Sequence, residues 1–104
     1  MNILLISIDS LRIDYVSRTN PQIHTPRFDA RTRDFCFYNG LFSASTATRP
    51  VHTSLFTGLY PFEHGIMGQS SSAMHMDLPH LFDQLEQAGY RVPVSYTHLR
   101  AHET

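Results

Sequence analysis

Met1-Asn2-Ile3-Leu4-Leu5-Ile6-Ser7-Ile8-Asp9 opens the chain, and its reading decides the fold. Ile3 to Ile8 is a nearly continuous apolar run, without the alternation that marks a strand wetted on one face. Such a run suits a strand covered on both faces, as in a parallel sheet between helices. Outward from there, Asn20, Pro21, Thr25 and Pro26 mark a loop, and Pro26 suits the first turn of a short helix. Phe35 to Phe42 is rich in aromatic residues and predicts a second strand, broken at Asn39-Gly40. Ser43 to Thr48 is a loop of small polar residues. A helix is predicted from Pro50 to Thr57, closing at Gly58, with Thr48 or Arg49 near its cap. Tyr60 to Ser72 is expected to be loop. Leu78, Leu81, Phe82 and Leu85 follow the spacing i, i+3, i+4, i+7, which predicts an amphipathic helix ending near Gly89. Tyr90 to Val94 then starts another strand. Strands alternating with helices lead to the expectation of an α/β layered fold.

A length of 104 residues suits one small domain, and 41% hydrophobic with 16% charged residues is a soluble globular composition. A net charge of −1 offers no basic field for nucleic acid and no acidic tail. Cys36 is the single cysteine, so an internal disulfide is excluded. Between Phe35 and Phe37 it is expected to be buried. No basic residues precede the first apolar run, and Asp9 interrupts it too early for a signal peptide or membrane span. The chain as written is therefore expected in the cytoplasm, with neither membrane nor nucleic acid as partner. Residues 94–104, Val94 to Thr104, look like one reading frame of a transposase-end adapter from shotgun libraries. They are expected to be a processing scar, leaving residues 1–93 as the native portion. His98 and His102, an i, i+4 pair otherwise suited to a metal, are set aside with them.

Two places can carry chemistry. Asp9 falls at the carboxyl end of the expected first strand, the edge where open α/β sheets bind ligands. A carboxylate there can hold a divalent cation, and it can equally cap a turn. The second is Thr48-Arg49-Pro50-Val51-His52-Thr53-Ser54-Leu55-Phe56-Thr57-Gly58-Leu59-Tyr60-Pro61. Thr48 at a helix start faces unpaired amides and the positive end of the helix dipole, which favours an oxyanion. A threonine hydroxyl attacks poorly unless a metal or base activates it, and Asp9 could supply the metal. The plain alternative is a helix cap. The remaining polar residues read blandly: His64 as a loop histidine, His80 as exposed, and Asp14 as pairing with Arg12 or capping.

Asp9 with Ser10-Leu11-Arg12-Ile13-Asp14, then Thr25-Pro26-Arg27-Phe28-Asp29, Ser54-Leu55-Phe56-Thr57-Gly58-Leu59-Tyr60-Pro61 and His64-Gly65, resemble the opening of sulfatases. These belong to the alkaline-phosphatase-like superfamily, and the resemblance spans residues 2 to 92. It implies an N-terminal fragment of a mixed sheet sandwiched between helices. It implies Asp9 as a ligand of a divalent metal (calcium, zinc or manganese). Ser10 stands where many relatives have a second aspartate, so that ligand is absent or weaker. Thr48 stands at the nucleophile position, where it also contacts the metal, and His52 helps hold the anion. Sulfatases carry cysteine or serine at that position, converted to formylglycine, with proline two residues on and arginine four on. This chain keeps Pro50 but has Thr48 and His52, and threonine is not a substrate for that conversion. Thr-x-Pro-x-His, followed by Thr-Gly-Leu-Tyr-Pro, is similar to nucleotide pyrophosphatases and phosphodiesterases, whose threonine attacks phosphorus directly. Phosphoethanolamine transferases share a threonine nucleophile. The implied function is metal-dependent hydrolysis of sulfate or phosphate esters, on a small molecule or a glycan, by a longer parent. The alternatives are a phosphodiesterase or phosphotransferase using Thr48 directly, or a non-catalytic pseudo-enzyme domain. The family's remaining ligands lie beyond residue 92, so residues 1–104 alone are expected to be inactive.

Overall fold

The computed structural model describes residues 1–69 and 77–94, and the chain divides into two compact units, Met1–Phe42 and Ser43–Thr104. Among the described residues there are helices and turns but no strand, which overturns the expected α/β mixed sheet. The physical reason is visible in the apolar runs themselves. A strand is made by a neighbouring backbone that pairs its N–H and C=O groups, and an apolar run specifies burial without supplying that neighbour. Ile3 to Ile8 and Phe35 to Phe42 join no ladder, and their side chains are exposed, Leu4 at 84% and Phe42 at 92%. Tyr90 to Val94 is likewise no strand. Cys36, expected in a core, is exposed for the same reason.

The first unit is organised by polar contacts around one buried aliphatic side chain, Val16. A 3-10 turn spans Ile13–Tyr15 and helix α1 spans Pro26–Arg31, starting at the proline as its ring geometry favours. Between them, the Asn20 side chain shapes the turn by donating to the Asp14 carbonyl (2.9 Å) and accepting from the Gln22 amide (3.0 Å). The Asp29 carboxylate of α1 accepts from the Ser17 hydroxyl (2.5 Å) and the Thr25 hydroxyl (3.1 Å). The Ser17 amide in turn donates to Thr25 Oγ1 (3.2 Å), closing a small network across α1. Arg12 holds Asp14 with two nitrogens, at 3.0 and 2.7 Å, the first of the two roles the sequence left open for Asp14.

In the second unit, α2 (Thr48–Thr57) contacts α3 (Pro61–His64) and α4 (Leu81–Gln87). Pro50 sits at the third helical position, where its missing N–H removes no helical bond. Gly58 closes α2 in the left-handed conformation (φ 73°), its amide donating to the Ser54 carbonyl (2.8 Å). The single-turn α3 falls inside the expected loop. Glu63 reaches back so that its carboxylate accepts from the Tyr60 amide (2.8 Å), and Gly65 (φ 83°) ends the turn. A four-residue helix is too short to show a period of 3.6, so only its end signals betray it. Helix α4 starts later than Leu78, because His80 Nδ1 accepts from the Phe82 amide (3.3 Å) and so caps it. His80 is half-buried by that role, where exposure was expected. Among the described residues, no helix is long and apolar enough to cross a membrane.

Candidate active site on the second helix

At about 100° per residue, α2 presents two distinct stripes. Pro50, Ser54 and Thr57 form one side; Pro50 and Thr57 are buried and Ser54 half-buried. Thr48, His52 and Phe56 form another, all half-buried. The nucleophile candidate therefore lies on a different stripe from the buried Pro50 and Thr57.

Thr48 is the first helical residue, and the cap position belongs to Ala47, whose methyl offers no acceptor. The positive end of a ten-residue helix thus sits at Thr48 without a capping side chain from the cap residue itself. A cap comes instead from far along the chain. The Arg49 amide donates to Gln69 Oε1 (2.6 Å), and the Arg49 guanidinium donates to the Gln69 carbonyl (3.3 Å). Pro50 has no N–H, so the start of α2 offers an anion fewer amides than a generic helix terminus.

His52 Nδ1 lies 3.1 Å from the Thr48 carbonyl oxygen. A carbonyl only accepts, so Nδ1 carries the proton and the neutral ring has its lone pair on Nε2. The ring stacks on Phe56 at 6.0 Å and 20°. Phe56 in turn packs on Phe82 at 4.6 Å and on His80 at 5.8 Å. His52 is therefore held by Thr48 on one edge and by an aromatic cluster reaching α4 on its face. A neutral imidazole so oriented can take a proton or ligate a cation through Nε2.

Asp9 and Ser10 belong to the first unit, and both are exposed. Ser10 adopts φ 58°, the left-handed region that few residues other than glycine enter. A shallow groove of about 270 Å³ is lined by Ser10, Leu11, Arg12 and Tyr15, with the Arg12 guanidinium 5.5 Å from the Tyr15 ring centre. The expected metal set of Asp9, Ser10 and Thr48 is thus divided between the two units. Among the described residues, no three His, Cys, Asp or Glu side chains gather as a metal site.

The residue that sequence reasoning undervalued is His64. Expected as a loop histidine, it is fully buried, with Nε2 2.9 Å from Ser54 Oγ and Nδ1 accepting from the Ile66 amide (3.1 Å). Pro61, Glu63 and Gly65 around it were the available signal, since they bracket a helical turn.

Comparison with known proteins places these residues in a family. The family model described as Sulfatase matches residues 1–102, a span that includes most of the stretch expected to be foreign. An ulvan-active sulfatase of Formosa agariphila is 29% identical over 79 residues, covering 76% of this chain and 16% of that protein. The chain therefore spans only a small part of that curated relative's length. No solved structure matches the chain.

Proposed function

The chain belongs to the sulfatase family, and from that premise we propose that the protein it comes from hydrolyses sulfate esters, or the similarly shaped phosphate esters, of a small molecule or glycan. The observation that carries this reading is the position of Thr48 at the first residue of α2, with His52 bonded to its carbonyl. The Thr48 hydroxyl attacks sulfur or phosphorus in line, forming a new ester bond as the bond to the departing alcohol breaks. Thr48 gives up its proton on attack and the leaving alcohol gains one. His52 Nε2 takes the proton that Thr48 gives up, and the resulting imidazolium returns it to the departing alcohol. Water then cleaves the threonine ester and releases sulfate or phosphate.

By the family resemblance, Asp9, Ser10 and Thr48 each offer an oxygen of the kind taken by a hard or borderline divalent cation such as calcium, zinc or manganese. Such a cation, when bound, neutralises charge on the nonbridging oxygens and favours the deprotonated hydroxyl. The similarity to an ulvan-active sulfatase supports the sulfate ester. Thr48 itself favours a second reading, phosphoryl transfer, because a threonine attacks directly without conversion to an aldehyde.

The test is turnover by the full-length protein of an aryl sulfate, an aryl phosphate and a phosphodiester, each with calcium, manganese or zinc. Turnover of at least one ester is expected, lost by about 10⁴-fold or more in Thr48→Ala, the scale of removing a nucleophile. Turnover of the sulfate alone would sink the phosphoryl reading. No turnover under any condition would identify a non-catalytic domain. The reading of residues 94–104 as foreign is checked separately, by whether the parent gene departs from this chain after residue 93.

A further inference from the structure

We propose that His64 is a positioning residue that sets the rotation of α2 and so aims Thr48. His64 is completely buried, and both of its ring nitrogens are committed. The Ile66 amide can only donate, so Nδ1 is the acceptor and the proton of the neutral ring is on Nε2. Nε2–H therefore donates to Ser54 Oγ. This polarity matters chemically. A Ser–His nucleophile pair requires the imidazole to accept the serine proton, and here the imidazole is the donor. Ser54 is not activated by His64; it is held by it.

The strut is stiff because each end is fixed locally. Gly65, at φ 83°, turns the chain so that the Ile66 amide folds back onto the His64 ring, and Ile66 is itself 2% exposed. At the other end, Ser54 stands between Pro50 and Thr57, the two buried residues of α2. At about 100° per residue, Ser54 lies roughly 200° round the helix from His52 and about 120° from Thr48. Pinning Ser54 on α3 consequently sets the Thr48–His52 stripe on the other side of the helix from α3. Without the strut, α2 keeps its terminal anchors at Gln69 and Gly58 and the Phe56–Phe82 contact with α4, but loses the hydrogen bond that holds its Ser54 side to α3.

The inference rests on Thr48 as the nucleophile, and the experiment separates the two. The full-length enzyme is compared with Thr48→Ala, Ser54→Ala, Ser54→Thr, His64→Gln and His64→Phe, reading kcat, KM and Tm for each. Ser54→Ala should lower kcat about 10- to 100-fold with KM nearly unchanged, the scale of a misaimed reacting group. Ser54→Thr, which keeps the hydroxyl, should restore most of kcat, and His64→Gln, which keeps a donor, should fall less than His64→Phe. If His64→Phe does not fold, Ser54→Ala decides alone. Normal kcat in Ser54→Ala with a lower Tm, beside an inactive Thr48→Ala, overturns the strut and leaves the nucleophile standing. Turnover surviving Thr48→Ala overturns the nucleophile, and the strut's purpose with it.

Discussion

Residues 1–42 contain the most hydrophobic stretches of the chain and bury very little of them, whereas residues 43–94 look more polar and hold the better-packed interior. In the first unit Val16 is the buried aliphatic residue, while Ile3, Leu5, Ile6 and Ile8 are each more than half exposed. In the second, His64, Ile66, Pro50 and Thr57 are buried together around α2 and α3. The difference teaches that local polar signals close a short helical unit from within, because caps and turns find partners a few residues away. Long apolar runs cannot do this, since burial requires a surface brought from elsewhere in the chain.

Three substitutions in the intact protein bear on that contrast. Ile66→Ala should have the largest effect, about 2–5 kcal/mol of stability, because it empties a site 2% exposed. Denaturant unfolding measures it, and a cost no greater than that of Val16→Ala would erase the difference between the units. Asp29→Ala should cost about 1–3 kcal/mol locally, since it leaves the Ser17 and Thr25 hydroxyls without their charged acceptor. Faster amide exchange confined to the Ser17–Arg31 region would show that polar bonds, more than burial, hold the first unit. Arg12→Ala should change stability by less than about 1 kcal/mol, because the Arg12–Asp14 pair is 72% and 47% exposed. A larger loss would mean that this pair does more than decorate the surface.

Much of the second unit was legible beforehand. Helix α2 ends at Gly58 as the sequence suggested, and it starts two residues before the expected Pro50. Helix α1 begins at Pro26 as expected. These features depend on neighbours within four residues, which the sequence displays directly. The Gln69 cap was not legible, because it reaches α2 from 20 positions away. The burial of His64 was hidden for a related reason: a histidine in a Gly- and Pro-punctuated stretch resembles an exposed loop residue until Ser54 and Ile66 are seen on its two nitrogens. The three expected strands failed from the opposite direction, with local signals and no pairing partner.

By itself, the sequence determined family membership, the start of α1, the end of α2, and the i, i+4 spacing that puts Thr48 and His52 on one stripe of one helix. Each follows from residue identities at short spacing. Only the tertiary structure decided which side of α2 is buried, which nitrogen of His64 carries its proton, that Gln69 caps α2, and that Ile3 to Ile8 lies exposed. Those depend on hydrogen-bond partners and contact surfaces remote in the chain, which no local pattern of residues encodes.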